Sequence, residues 1–186
     1  MSRRQWFSVL FGCALLATAG CGGAGIGGLE GLIDGVNPPS GDDPDPSGPP
    51  DPAATMSEQE LSLAVDCFQR VNAERAKVGA PPLQWLDPAA AAAFLHSLDM
   101  SDRDYFDHVN PEGQGPGTRL GLMGVSWSAY AENIAMGYVD ADEVMAGWMA
   151  SEGHRTNLLN PAYTHVGIGV RWAAGGPFWT QDFVRP

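Results

Sequence analysis

Val166-Gly-Ile-Gly-Val-Arg-Trp172, then Ala173-Ala-Gly-Gly-Pro177, then Phe178-Trp-Thr-Gln-Asp-Phe-Val184: this closing stretch decides the fold class. Val166, Ile168, Val170 and Trp172 alternate with Gly167, Gly169 and Arg171, the period of two expected of a strand with one buried face. The small residues and Pro177 turn the chain back, so the segment reads as a β-hairpin. A third strand is expected near Ala131 to Ala135, where an apolar run is interrupted only by Glu132 and Asn133.

Upstream the period becomes helical. Ser57-Glu-Gln-Glu60 is a capping box, in which each of the two outer side chains satisfies a backbone N–H of the other. Leu61, Ala64, Val65, Phe68 and Val71 follow at helical spacing, so an amphipathic helix runs to about Gly79 and is broken by Pro81-Pro82. A second helix is expected from Asp87 as cap and Pro88 in the first turn, through an alanine run, to about Met100. A third starts at Asp140 with Glu143 and carries Val144, Met145, Trp148 and Met149 to about Ser151, while residues around 107 to 118 read as loop. Helices first and strands last indicate an α+β domain with an antiparallel sheet.

Residues 1–20 have the order of an export signal: Arg3 and Arg4, an apolar run from Trp6 to Ala19, then Gly20. The run is too short to remain as a membrane span. Cys21 follows directly, where a bacterial lipoprotein presents its thiol for acylation, and Arg3-Arg4 leaves both the general and the twin-arginine export routes open. A multiply acylated Cys21 would anchor the chain durably to a membrane, at the periplasm-facing or outer surface of the cell envelope. Residues 21–56 are rich in Gly, Pro and Asp, with too little apolar surface to fold, and read as a disordered tether. Residues 57–186 are long enough for one core.

With Cys13 lost with the signal and Cys21 used by the anchor, Cys67 stands alone, which excludes a disulfide framework and suits a small buried apolar residue. The formal net charge is -12, and loss of Arg3 and Arg4 takes it to -14, which disfavours nucleic acid as a partner. Oligomeric state is not legible.

Chemistry-bearing residues gather near turns: His108 in Phe106-Asp-His-Val-Asn-Pro-Glu-Gly113, His154 in Ser151-Glu-Gly-His-Arg155, and Glu132 inside the expected third strand. A carboxylate there is costly unless paired, so Glu132 is expected to face histidine, arginine or backbone donors. His96, on the second helix and distant in sequence, is expected to be solvated or capped; His165 is expected to hydrogen-bond at a strand entry. Arg155 is expected to hold a loop or a helix C-terminal carbonyl. Trp85, Trp127, Trp148, Trp172 and Trp179 read mostly as packing. Neither Ser126 nor Ser151 lies in a Gly-x-Ser-x-Gly turn, which argues against a serine hydrolase.

Four ordered motifs share a family pattern: Phe106-Asp-His108-x-x-Pro-x-Gly; Ala131-Glu132-Asn133-Ile-Ala; Trp148-Met-x-Ser151-x-Gly153-His154-Arg155-x-Asn157-x-Leu159-x-Pro161; and Val166-Gly-Ile-Gly with Phe178-Trp-Thr-Gln-Asp-Phe. Together they resemble the bacterial branch of the CAP superfamily of cysteine-rich secretory proteins, antigen 5 and pathogenesis-related proteins, over about residues 60 to 186. The resemblance implies a three-layer α-β-α sandwich around a central antiparallel sheet, with a shallow cavity lined by histidines and acids. The cavity residues it implies are His108, Glu132 and His154. Its fourth position, an acid in eukaryotic members, falls on Ser151, with Glu152 one residue later and turned by about 100° if both sit on one helix. Two imidazoles and a carboxylate are donor types suited to zinc. A structural network, reversible metal binding and hydrolysis stay open, as does binding of a small apolar ligand or envelope component; no other cofactor is implied.

Overall fold

The computed structural model describes residues 54–186. The expected export signal, Cys21 and the tether through residue 53 lie outside the described residues. The last tether residues, Ala54 and Met56, pack against Phe94, Leu95 and Leu98.

Five helices and four strands follow: α1 Glu58–Lys77, β1 Gln84–Trp85, α2 Asp87–Asp102, α3 Pro116–Leu122, β2 Ala129–Met136, α4 Ala141–Ala150, α5 Glu152–Leu159, β3 His165–Ala173 and β4 Gly176–Arg185. The capping box forms as expected: Glu60 N donates to Ser57 Oγ at 3.3 Å and Ser57 N to Glu60 Oε2 at 2.8 Å. Asp140 likewise accepts from Glu143 N at 2.9 Å to start α4. At α2 the cap is Leu86 instead, because the Asp87 carboxylate accepts from Trp85 Nε1 at 2.8 Å.

Two helices were not expected. The short α3 occupies part of the Gly- and Pro-rich stretch; at seven residues it is too brief to show a period, and Pro116 sits in its first turn. Ser151, with extended backbone (φ -94°, ψ 123°), ends α4, and α5 begins at Glu152. Ser151 and Glu152 therefore do not share a helix, and the 100° offset between them does not apply.

The sheet order is β1-β3-β4-β2. β3 and β4 form the expected hairpin, β2 pairs antiparallel with β4, and only the two-residue β1 is parallel to β3. Directly paired residues share a face, which sorts the sheet into two sides. Val166, Ile168, Val170, Trp179, Phe183 and Ala135 join Ala64, Cys67, Val71, Val144, Met145, Trp148 and Leu158 of α1, α4 and α5 in the main core. The opposite side carries α2, with α3 packed beside it. The result is the α-β-α sandwich.

Contact with α2 explains Gly167 and Gly169. A Cβ at Gly167 would lie 2.1 Å from the Ala89 carbonyl carbon and Ala90 nitrogen, and one at Gly169 2.0 Å from the Phe94 nitrogen. The helix backbone thus rests on the strand backbone, with alanines on one surface and glycines on the other. Beside this contact Ser97 Oγ donates to the Gly169 carbonyl at 3.2 Å and meets Thr180 Oγ1 at 2.8 Å.

β2 is one of the two edge strands, yet its edge is covered. The carbonyls of Tyr130, Glu132 and Ile134 accept from Tyr163 Oη (3.3 Å), Asn157 Nδ2 (3.4 Å) and Trp148 Nε1 (3.3 Å). Alternate backbone groups of an edge strand otherwise invite pairing with another chain; here side chains from the α4–α5 region occupy them.

Candidate functional site

Glu132 is the centre of the site. Its side chain is 1% exposed, and both oxygens are engaged: Oε1 with His108 Nδ1 at 2.7 Å, Oε2 with Arg119 Nη2 at 2.6 Å. His108 lies in the loop between α2 and α3, and Arg119 on α3 also donates from Nη1 to the carbonyls of His108 (3.0 Å) and Gln114 (2.8 Å). One guanidinium therefore fixes the carboxylate and the backbone that carries its imidazole partner. The far end of the same loop is tied to α2 by Arg103, which binds both carboxylate oxygens of Asp99 and both of Glu112.

His154 approaches from the other side, on α5. Asn133, fully buried next to Glu132 on β2, donates to the His154 carbonyl at 3.2 Å, and its own oxygen accepts from Asn157 at 3.0 Å. Arg155 donates to the Met149 carbonyl in the last turn of α4 at 2.7 Å, the helix C-terminal carbonyl that was one of its two expected partners. At the other end of α5, buried Arg75 donates to the carbonyls of Leu158 and Asn160. The cavity between the His108 loop and α5 has a volume of about 630 Å³ and is lined by His108, Glu132, Ser151, Glu152, His154 and Asn157, among others. A second cavity of about 320 Å³ adjoins it, sharing Ser151 and His154, and is walled by Phe106, Ile134, Met136, Tyr138 and Trp148.

The electrostatics separate the imidazoles. The hydrogen bond that His108 donates to Glu132 raises His108 above the ordinary histidine value, whereas burial and the neighbouring His108 charge lower His154. Burial pulls Glu132 upward, but the His108 hydrogen bond and the Arg119 charge outweigh it and hold the carboxyl below the usual range. His108 therefore holds its proton more tightly than His154 does, so the two cavity imidazoles titrate apart.

The zinc reading does not fit these residues. Each Glu132 oxygen already accepts a charge-assisted hydrogen bond, so a metal ion there would have to compete with Arg119 and His108 for the carboxylate. No group of three or more His, Cys, Asp or Glu among the described residues is arranged to hold a metal ion. The same engagement leaves Glu132 poorly suited to act as a general base.

The sequence brought together His108, Glu132, His154, Ser151 and Glu152, and all five line the cavity. It missed Arg119, whose place in a short helix carries no motif. The reading of His96 as solvated and remote needs correction: it is 1% exposed, and its Nε2 lies 3.9 Å from Glu132 Oε1. α2 resting so closely on the sheet brings it there. Burial lowers the His96 pKa to about 4. Asp182 was also missed; it is fully buried on β4, directly across from Glu132. His165 meets Thr164 Oγ1 at the entry to β3, away from the cavity, as expected. Cys67 is buried, its thiol pushed up to about 12 by desolvation, and is chemically quiet.

Comparison with known proteins agrees with this geometry. Residues 68–183 match the CAP family, described as the cysteine-rich secretory protein family. Over 113 residues the chain is 43% identical to the uncharacterized protein YkwD of Bacillus subtilis (strain 168), covering 61% of this chain and 43% of that protein. Over 131 residues it is 41% identical to the uncharacterized membrane protein YlbC of the same organism, covering 70% of this chain and 35% of the relative. The chain thus spans less than half the length of these curated relatives. Among solved structures it is similar to an extracellular protein containing a SCP domain from Bacillus anthracis str. Ames, with 34% identity, a TM-score of 0.65, and coverage of 72% of this chain and 45% of that one. A matching stretch that takes in the hairpin, the covered edge strand and every cavity residue makes this chain a member of the CAP family.

Proposed function

We propose that the protein is an exported, lipid-anchored CAP module that binds a small molecule with a polar end and an apolar body in the paired cavities. The observation that carries this is their junction: a compartment lined by imidazoles and acids opens beside one walled by Phe106, Met136, Tyr138 and Trp148, with Ser151 and His154 common to both. Concave sites with a largely apolar wall and a few convergent polar groups are where small ligands bind. Export and anchoring are supported by the order of residues 1–20 and by Cys21, and by a relative described as extracellular. No helix among the described residues is long and apolar enough to cross a membrane; the proposed attachment runs through acylated Cys21 and the tether.

The test is equilibrium binding of a fluorescent single-chain fatty acid to the full chain. Saturable binding, weakened tenfold or more by Met136→Asp and by a His108→Ala, His154→Ala double substitution, is the expected result; a tenfold loss corresponds to about 1.4 kcal/mol. Binding unchanged by both would overturn the assignment of the cavities. For the anchor, Cys21→Ala is expected to move the protein from the membrane fraction to the soluble fraction.

A further inference from the structure

Behind the cavity stands a carboxyl that the proposed binding does not use. Asp182 is fully buried, and neither of its oxygens has a hydrogen-bond donor among the described residues. It is the cross-strand partner of Glu132, on the same face of the sheet. The surroundings cannot neutralise a second buried anion. Arg119 and His108 already pair with Glu132, the remaining buried Arg119 Nε makes no hydrogen bond to Asp182, Gly167 on the other neighbouring strand has no side chain, and His96 on α2 is buried and favours its neutral form. Asp99, further along α2, is paired with Arg103. Burial and the Glu132 charge both push the Asp182 carboxyl well above the usual range. An ionised Asp182 would be a buried, unpaired charge beside a like charge, whereas a protonated one has an O–H to give and a carboxylate next to it to receive it.

We propose that Asp182 is a positioning residue of the cavity: it keeps its proton at neutral pH, donates it in a hydrogen bond to Glu132, and so fixes the carboxylate that orients His108. Glu132 then has donors from three directions, Arg119 from α3, His108 from the loop and Asp182 from β4, and the two carboxyls together carry one negative charge, which Arg119 balances. The buried His96 Nε2, which also lacks a partner, closes the remaining side with a neutral ring. The inference bears on the proposed binding site, but its test reads the protonation of Asp182 without any ligand, so the two can fail separately.

The experiment uses the full chain at neutral pH. An infrared difference spectrum of native protein against Asp182→Asn is expected to show the carbonyl stretch of a protonated carboxyl, present in the native protein and lost in the variant. By NMR, the His108 midpoint is expected to stay at its native value in Asp182→Asn, which keeps a neutral donor. In Asp182→Val, which has none, it is expected to move by about half a unit or more. Absence of the protonated-carboxyl band, or a His108 midpoint lowered by about one unit in Asp182→Asn, would show an ionised Asp182 and overturn the proposal. An unmoved midpoint in a folded Asp182→Val would reduce Asp182 to packing and overturn it equally.

Discussion

Glu132 has the lone carboxylate's problem and its solution in view at once: a side chain 1% exposed, charged, with Arg119 and His108 at hydrogen-bond distance. Removing one member of a buried ion pair costs more than the pair contributes, because the survivor stays buried without compensation. Glu132→Ala strands Arg119, whose side chain is 8% exposed. The expected loss is about 3–5 kcal/mol in urea denaturation. His108, deprived of its acceptor, should titrate lower than in the native protein. At this scale the sequence was informative where a costly residue broke an apolar pattern: Glu132 announced that it needed partners. It was silent on Arg119 and Asp182, whose roles depend on strand register and on a helix of seven residues.

At the scale of elements, close approach of α2 to the sheet sets the geometry of the site. The alanines of α2 and the glycines of β3 let two backbones touch, and this carries His96 beneath Glu132 and the His108 loop to the cavity mouth. A methyl group at Gly169 would lie 2.0 Å from the α2 backbone, so helix and strand must separate. Gly169→Ala is expected to destabilise by at least about 1–3 kcal/mol, the range for overpacked cores, read from the urea midpoint. The alternation of Gly and apolar residues in β3 was legible as a strand, while the helix covering the glycine side was not, because periodicity reports which face is buried and not by what. The end of α4 at about Ser151 was legible, whereas α5, which begins after that single residue of extended backbone, was not, because its eight residues bury only Leu158 and show no apolar period.

For the whole molecule, the α+β class followed from the order of helical and alternating periods, and the cavity residues from the resemblance to the CAP family. The histidines then set the response to pH. The folded-state pKa of His96 is depressed to about 4, so its neutral burial stabilises the fold fully above the ordinary histidine value of about 6.5 and loses that stabilisation as pH falls toward 4. The span corresponds to about 3 kcal/mol, and the loss of urea stability between pH 7 and pH 4 should shrink in His96→Gln. His154, also depressed, acts in the same direction. His108 is raised, so its pairing with Glu132 stabilises the fold below the ordinary histidine value and fades as pH rises through the folded value. Among the histidines, His96 and His154 therefore contribute to the loss of stability on the acid side and His108 to the loss on the alkaline side.

The account stands on Glu132 separating the two cavity imidazoles, and ring-proton NMR titration of the four histidines in the full chain measures this directly. The expected result is His108 titrating above the ordinary value, His154 below it, and His96 remaining neutral until about pH 4. Coincident titration of His108 and His154 at the ordinary value of about 6.5 would contradict it.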